Sequence, residues 1–271
     1  MPELPEVETT RLGLLPYVQG QRIARVIVRD ARLRWPVPAN FAQRLKGRTV
    51  RDVSRRGKYL LWDCESGFVL SHLGMSGSLR VVPVSSLAGK HDHIDFAFDS
   101  GNAIRYTDPR RFGAMLWIPG RNSTHPLLDE LGPEPLSPDF TAAHLAKAAH
   151  GRSVSVKEFI MNGHVVVGVG NIYASESLFL AGIHPKRMAG RISMSRHARL
   201  VDAIRQTLAK AIRAGGSSLR DYVQADGELG YFQVNAFVYD REGQPCRRCG
   251  AAIRVIRQGQ RSTYYCPACQ T

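Results

Sequence analysis

The sequence has no apolar run close to the roughly 18 residues that a membrane-spanning helix requires. Its first residues also lack the basic segment followed by an apolar segment that is typical of a secretory signal peptide. We therefore expect a cytoplasmic protein that makes no membrane contact. A largely disordered chain is excluded as well, because 44% of the residues are hydrophobic and can build folded cores.

Cysteine is scarce and unevenly distributed. The chain has five cysteines, and four of them form two Cys-x-x-Cys pairs near the C-terminal end, at 246/249 and 266/269. In a reducing compartment such pairs indicate metal ligation, and disulfides are not expected. Cys64 stands apart from them, and we expect it to be a small core residue without a ligand role.

Acidic residues are outnumbered by basic ones. The chain has 23 Asp and Glu against 37 Lys and Arg, which gives a formal net charge of +14. A folded protein this basic usually binds polyanions, so nucleic acid is the expected partner. With 271 residues the chain is longer than most single cores, and about two domains are expected.

The pattern up to residue 118 predicts a leading helix followed by strands. The helix should begin at Pro5, and Pro16 should kink or end it. The segment 93–99 alternates in polarity and should be half buried. Many short strands favour a β-sandwich or barrel as the N-terminal domain, residues 1–118. The strands are predicted at 25–28, 58–62, 67–70, 78–82, 93–99 and 103–107, with a hairpin turn at 100–102.

Residues 119–138 contain five prolines and two glycines, so we expect an interdomain linker without a regular element. Residues 217–235 show no periodicity and predict a long, functional loop. The region 139–235 is therefore a helical domain that ends in this loop, and residues 236–271 form a separate cysteine-containing domain. Helices are predicted at 139–150, 155–162, 171–181 and 195–214, the last one stopped by Gly215 and Gly216.

The four clustered cysteines have the spacing of a structural zinc site, with sixteen residues between the pairs. Four thiolates leave no open position, so the metal would serve folding; a redox role is the alternative. A zinc deaminase is set aside because no His-x-Glu triplet occurs. The predicted ligands are Cys246, Cys249, Cys266 and Cys269.

Between the two cysteine pairs, segments 253–256 and 262–265 predict a β-hairpin. Arg261 should lie at its tip, beside Arg257, Arg247 and Arg248. We favour a clamp on phosphates over the alternative of a solvated basic surface.

The first six residues, Met-Pro-Glu-Leu-Pro-Glu, carry a second chemical signal. If Met1 is removed, Pro2 becomes an N-terminal secondary amine, whose unperturbed pKa lies far below that of lysine. Such an amine can attack a sugar or carbonyl carbon and form a Schiff base. Glu3 and Glu6 would then supply acid–base partners within one helical turn. Taken alone, these residues favour the ordinary interpretation, a Met-Pro start followed by a Glu-rich helix start.

Six motifs follow one another along the chain: Pro-Glu-Leu-Pro-Glu-Val-Glu-Thr at 2–9, His-Leu-Gly-Met-Ser-Gly at 72–77, Lys-His-Asp-His at 90–93, Tyr-Thr-Asp-Pro-Arg-Arg-Phe-Gly at 106–113, Gly-Val-Gly-Asn-Ile-Tyr-Ala at 168–174, and the cysteine hairpin. Together they resemble the motifs of the bacterial formamidopyrimidine-DNA glycosylase family. The match runs along the whole chain in the family's order. It implies an α+β multidomain fold, with an N-terminal β-sandwich and leading helix, a helix–two-turns–helix domain and a β-hairpin zinc finger. It also implies one structural zinc ion and a monomer that binds damaged double-stranded DNA.

The resemblance further implies a bifunctional DNA glycosylase and AP lyase of base excision repair, acting on the oxidised purines 8-oxoguanine and formamidopyrimidines. Pro2 would be the nucleophile on C1′, and Glu3 the acid–base group. Lys58 would assist β-elimination, and Arg261 would assist δ-elimination and contact a phosphate near the lesion. Without the resemblance, Lys58 would be interpreted as an exposed strand-edge lysine.

Three residues match those with which the family fills the space left by a flipped base, namely Met75, Arg110 and Phe112. Without the motifs, Met75 and Phe112 would be interpreted as core residues. His91 and Arg152, together with Arg110, match DNA contacts of the family.

Asn171 follows a Gly-Val-Gly turn at a helix start, where backbone N–H groups can hold a phosphate. Glu6 matches a glutamate that lines the family's lesion pocket.

His91 and His93 have an alternative interpretation as a metal pair, which we disfavour because such pairs usually recruit a further ligand at motif spacing.

Two other functions stay open. A sibling family that removes oxidised pyrimidines typically begins Pro-Glu-Gly-Pro-Glu, whereas Leu4 takes the place of that glycine here. A non-catalytic zinc-ribbon protein that binds nucleic acid would explain the charge and the cysteines, but it leaves Pro2 and Glu3 without a purpose.

Overall fold

The computed structural model describes residues 2–120, 125–216 and 236–271. They belong to two compact units, which divide between Asp129 and Glu130. The N-terminal unit holds the described residues up to Asp129 together with Gly215 and Gly216; the C-terminal unit holds the others. The loop predicted at 217–235 lies outside the described residues. Among the described helices, none is long and apolar enough to cross a membrane.

Helix α1, Leu4–Val18, begins within one residue of the predicted start. A capping box explains this: the Glu3 amide donates to the Glu6 carboxylate at 2.7 Å, and the Glu3 carboxylate accepts from the Glu6 amide. Of the two effects predicted for Pro16, a kink or a helix end, the second is wrong, because the helix continues to Val18. Pro16 stands in the last turn, where the missing N–H removes only one helical hydrogen bond.

Eight strands form two four-stranded antiparallel sheets, which confirms the predicted β-sandwich. They are β1 Ile23–Val28, β2 Asp52–Arg56, β3 Tyr59–Asp63, β4 Gly67–His72, β5 Ser78–Pro83, β6 Asp92–Phe98, β7 Asn102–Thr107 and β8 Ala114–Pro119. One sheet has the order β1-β6-β7-β5, and the other has the order β2-β3-β4-β8. The core lies between them, where the rings of Trp62 and Phe96 stack at 5.2 Å. Helix α2, Phe41–Leu45, packs beside β1.

Strand β6 departs from the predicted half burial, because every one of its residues is buried. The polar positions are satisfied inside the protein. The Asp95 carboxylate accepts from Arg105 at 2.9 Å and from Arg29 at 2.7 Å. A charged side chain can be buried when it is paired with an opposite charge. The alternating polarity of this strand therefore predicted exposed residues that are in fact buried. The predicted hairpin between β6 and β7 is confirmed by the pairing of Ala97 with Ala103.

Helix α3, Pro126–Asp129, lies within the stretch 119–138, where no regular element was expected. Proline is favourable at the first position of a helix, and the His125 amide donates to the Asp129 carboxylate at 3.0 Å. One short helical turn therefore forms within this proline-rich stretch.

The C-terminal unit is helical and ends in a hairpin, in agreement with the prediction. Its long helix departs from the strict four-residue spacing. Leu200, Ile204 and Leu208 are fully buried, but Ile212 is only partly buried and Ala211 takes its place in the core. An α-helix has about 3.6 residues per turn, so residues spaced by four rotate gradually away from the buried face. After three such steps, position 211 faces the core and position 212 is only partly buried. The elements are α4 Ala142–Ala149, α5 Val156–Ile160, α6 Asn171–Ala181, α7 Met194–Arg213, β9 Arg254–Gln258 and β10 Arg261–Tyr265.

Candidate functional site

The start of α1 gathers the predicted nucleophile and both predicted acid–base partners. Pro2, Glu3 and Glu6 are buried, Glu6 completely. Buried carboxyl groups need hydrogen-bond donors, and the reciprocal capping box supplies backbone donors to both. The backbone of Gly216 also lies against Glu6, since a Cβ there would be 3.1 Å from its carboxylate. Two carboxyl groups are thus held beside Pro2 in a water-poor environment.

Lys58 lies in the turn between β2 and β3, not at the start of a strand as predicted. The turn also contains Gly57, whose φ of 58° is one that glycine adopts without strain. Arg55 fixes it by donating to the Gly57 carbonyl at 2.9 Å and to the Glu8 carboxylate at 2.8 Å. Glu8 belongs to the first turns of α1, so this link holds the half-buried Lys58 turn against the helix that carries Glu3.

His72 borders a cavity of about 110 Å³ that Phe112 also lines. Burial, and then the charges of Lys58 and Arg34, lower the pKa of His72 to about 4. The Gly74 amide donates to Nδ1 at 3.1 Å, which leaves the proton of the neutral ring on Nε2. A neutral imidazole near Lys58 can donate a hydrogen bond without adding charge. The sequence motif contains this histidine, but its burial and its protonation state could be inferred only from the folded structure.

Met75 and Phe112 stand on two neighbouring loops and not in the core. Their exposed fractions are 38% and 43%, high for large apolar side chains. Gly74 brings the loops together: its φ is 64°, and a Cβ there would lie 2.5 Å from the backbone of Phe112. The Arg110 guanidinium lies 4.8 Å from the centroid of the Phe112 ring. The three predicted void-filling residues are therefore presented side by side on the N-terminal unit.

The carboxylate of Asp108 holds these two loops together through hydrogen bonds. Asp108 is fully buried, and its carboxylate accepts from Ser76 Oγ at 2.8 Å, from Tyr106 Oη at 2.9 Å and from the Gly113 amide at 2.9 Å. Ser76 belongs to the loop of Met75, and Gly113 closes the loop of Phe112. One carboxylate thus ties both loops to β7, a role that the sequence motif does not reveal.

His91 is brought to the same place through the backbone. Its carbonyl accepts from the Asp108 amide at 3.0 Å, and the ring is partly exposed. His93 is buried, with Nε2 hydrogen-bonded to the Asp108 carbonyl at 2.7 Å. That contact occupies one ring nitrogen of His93 and argues against the metal-pair interpretation.

In the C-terminal unit, Asn171 and Arg261 are held close to each other by a buried lysine. The Nζ of Lys157 donates to Asn171 Oδ1 at 2.5 Å and to Thr263 Oγ1 at 2.6 Å. The Asn171 amide group donates to the Ser262 carbonyl at 3.0 Å, one residue from Arg261. The α6 N-terminus and the hairpin therefore form one surface, and Lys157 is a residue that sequence reasoning missed.

The hairpin confirms Arg261 at the tip, where it pairs with Gln258 and is exposed. Arg257 pairs with Ser262, one position further along the register. Arg247 and Arg248 do not lie beside Arg261, because they accompany the cysteines at the other end of the hairpin, about 13 Å away at the rise of a strand. Arg248 stacks on Phe179 instead, 4.9 Å from the ring centroid. The predicted basic cluster is therefore smaller than expected.

The four cysteine sulfur atoms lie within 4.8 Å of one another, with Cys246 to Cys269 at 4.0 Å and Cys249 to Cys266 at 3.5 Å. Tetrahedral zinc–thiolate bonds of about 2.3 Å require sulfur separations of about 3.8 Å, so the donor set fits a zinc ion. Burial raises the pKa of Cys269 to about 12, whereas backbone hydrogen bonds oppose burial and lower that of Cys246 to about 7. Four thiolates in this space require a cation. Among the described residues, no other group of three or more metal-ligating side chains clusters in this way.

Glu176 fastens the finger to α6 and was also missed. Its buried carboxylate accepts from the amides of Phe237, Val238 and Tyr239 at 2.8, 2.9 and 2.9 Å. Burial raises the pKa of Glu176, and the three amides oppose that rise. The finger is thus joined to the helices by a charged hydrogen-bond anchor as well as by apolar packing.

Three family models cover most of the chain. The N-terminal domain of formamidopyrimidine-DNA glycosylase matches residues 1–115, its H2TH domain matches 131–223, and the zinc finger found in FPG and IleRS matches 243–271. The formamidopyrimidine-DNA glycosylase of Burkholderia cenocepacia is 59% identical, and the alignment covers 100% of both chains. The chain belongs to the formamidopyrimidine-DNA glycosylase family.

Solved structures of the formamidopyrimidine-DNA glycosylase family have the same fold. The Lactococcus lactis Fpg in complex with DNA containing an abasic site superimposes with a TM-score of 0.92, at 36% identity and 99% coverage of both chains. A MutM protein in complex with DNA containing carbocyclic 8-oxo-G gives a TM-score of 0.90, at 34% identity and 100% coverage of both chains. The chain is therefore a DNA glycosylase of oxidised-base repair, and its four cysteines form the zinc finger of this glycosylase family.

Proposed function

We propose that this glycosylase removes oxidised purines, 8-oxoguanine and formamidopyrimidines, from duplex DNA and then cuts the strand by β,δ-elimination. The observation that carries the proposal is the buried start of α1, where Pro2 precedes two carboxyl groups locked in a capping box. A buried N-terminal proline beside Glu3 has little purpose in a protein that only binds DNA.

Pro2 provides the nucleophile once Met1 is removed. Its nitrogen attacks C1′ of the damaged nucleotide, the glycosidic bond breaks, and the resulting Schiff base joins the protein to the opened sugar. Glu3 donates and accepts the protons of ring opening. Glu6 lines the lesion pocket and, through its bond to the Glu3 amide, also orients that residue.

Strand cleavage follows from the Schiff base, which acidifies the proton on C2′. Loss of that proton expels the 3′ phosphate, and a second elimination expels the 5′ phosphate. Lys58, held against α1 by Arg55, assists the first step and contacts the lesion phosphate. Arg261, beside the Asn171 surface, assists the second.

DNA recognition is assigned to two groups of residues. Met75, Arg110 and Phe112 occupy the space of the extruded base, which their exposed and adjacent positions support. His91, Arg152 and Asn171 contact the DNA, in keeping with the net charge of +14. We infer a monomer that acts on damaged double-stranded DNA in the cytoplasm.

Borohydride trapping tests the proposal. One duplex carries 8-oxoguanine opposite cytosine, a matched duplex carries an oxidised pyrimidine, and mass mapping locates the cross-linked residue. We expect a trapped complex at Pro2, mainly on the purine lesion. Trapping on the pyrimidine alone would assign the substrate of the sibling family, and binding without trapping would leave only a DNA-binding protein.

A further inference from the structure

The C-terminal unit carries a second concentration of positive charge, distinct from the Asn171 and Arg261 surface. The connection between α6 and α7 lines a cleft of about 440 Å³. None of its lining residues is acidic. We call it the 184–191 cleft; its lining residues are His184, Lys186, Arg187, Met188, Arg191 and Thr271.

The basic side chains that line this cleft have no acidic side-chain partner within the described part of the chain. No acidic side chain there lies within ion-pair distance of Lys186, Arg187 or Arg191. Burial and the neighbouring cations Arg187 and Arg199 lower the pKa of Arg196, as crowding of like charges should. Such repulsion opposes folding and is relieved by an anionic ligand.

The cleft is built from well-fixed backbone. The Arg187 carbonyl accepts from the Val156 amide at 2.7 Å, and the Arg196 guanidinium donates to the Thr271 carbonyl at 2.8 Å. At its other end the Gly190 amide donates to the Arg152 carbonyl at 3.0 Å, and a Cβ on Gly190 would lie 2.8 Å from that oxygen. The backbone beside the cleft therefore contacts the backbone of Arg152, a proposed DNA contact.

We propose that the 184–191 cleft binds backbone phosphates of the duplex outside the damaged nucleotide. Lys and Arg side chains are the usual ligands of phosphate oxygens, and a lining with three basic side chains and no acidic one gives a neutral ligand little to bind. The inference rests on the proposed function, because it takes duplex DNA as the substrate. It adds contacts that need no lesion, so it strengthens binding to damaged and undamaged duplex alike.

The test is the salt dependence of duplex binding by the triple variant K186Q/R187Q/R191Q. Each lost phosphate contact reduces the slope of log K against log salt concentration by about 0.9, so we expect a reduction of about two to three. The same reduction should occur on damaged and undamaged duplex. The variant K186Q/R191Q changes only exposed side chains, and it should show roughly two thirds of the effect even if the triple variant folds poorly.

A matched control removes equal charge elsewhere. R44Q/K46Q/R51Q changes three exposed cations of the N-terminal unit, and its slope should equal that of the wild type. An unchanged slope in both cleft variants, or an equal reduction in the control, would overturn the proposal. A wild-type protein that binds no damaged duplex would instead refute the proposed function, so the two failures are distinguishable.

Discussion

At the scale of single residues, Glu3 combines a structural and a chemical role. As the N-cap of α1 it accepts a backbone hydrogen bond, and as a buried carboxyl group beside Pro2 it can transfer protons. Glu3→Gln retains an oxygen for the cap but removes the titratable group. We expect single-turnover base removal to slow by roughly 10²- to 10⁴-fold, which is typical for loss of a general acid–base group, with little change in thermal stability. An unaltered rate at an unaltered melting temperature would assign the proton transfers to another group.

His72 gives a residue-scale prediction with a definite sign. Its folded-state pKa of about 4 lies below the ordinary value, so the unfolded state binds the proton more readily. The resulting stabilisation is present above about pH 6.5 and is lost as the pH falls towards 4. In an imidazole NMR titration we expect the pKa of His72 to rise in Lys58→Met, yet to stay below 6.5, because burial is the larger cause. A titration unaffected by Lys58→Met would place the lysine away from this ring.

How far the sequence predicts the site depends on whether a role needs local or distant partners. The four cysteines belong to a pattern whose chemistry follows from residue type and spacing, whereas the roles of Pro2 and Glu3 follow only from the family resemblance and stay predictions. The roles of Asp108, Lys157 and Glu176 were missed because each has at least one partner 32 to 106 residues away in the chain. No periodicity records such contacts. They become visible only when the fold brings these partners together.

At the scale of elements, the contact between the Met75 and Phe112 loops depends on a glycine. Gly74→Ala introduces a Cβ that would lie 2.5 Å from the Phe112 backbone, at a φ of 64° that alanine disfavours. We expect the loops to separate, and base removal from duplex DNA to fall at least tenfold in single-turnover assays. Gly101→Ala is the matched control, since it has a φ of 85° but no atom within 4 Å. The control should lose about 1 kcal/mol of stability from strain alone and keep its activity.

Elements were predictable from the sequence where burial follows a simple period. The strands β3 to β7 and the helix α6 have one apolar face or a buried run between clear turn residues, and their predicted existence is confirmed, although β6 is buried throughout and not half buried. Strand β2 was missed because its sequence is polar and only Val53 is buried, and β8 because it is uniformly apolar and lacks alternation. Both strands lie at the edges of their sheet. Each is recognised as a strand by its pairing with the neighbouring strand, and not by a pattern in its own sequence.

The zinc finger provides another element-scale prediction. Cys249→Ser removes one of four ligands from an otherwise closed set, so metal analysis should find the zinc lost. The hairpin with Arg261 should then lose its order, and the salt dependence of DNA binding should become shallower. Cys64→Ala is the control, because Cys64 is a buried core residue of the N-terminal unit, and it should retain one zinc ion per chain. A Cys249→Ser protein with full zinc content would contradict the ligand set.

At the scale of the whole molecule, two compact units should unfold as separate cooperative transitions in calorimetry. The zinc ligands belong to the C-terminal unit, where the finger packs on α6 through Phe179 and is anchored by Glu176.

Removing zinc with a chelator should lower the unfolding temperature of that unit by on the order of ten degrees or more, because zinc that binds only the folded finger stabilises it. The other transition should stay in place, since its core of β-sandwich residues contains no zinc ligand. Glu176→Gln, which keeps the shape of the anchor but removes its charge, should lower the same transition without releasing zinc. If chelation instead moved both transitions together, the units would share one folding equilibrium, and the zinc would stabilise the entire protein.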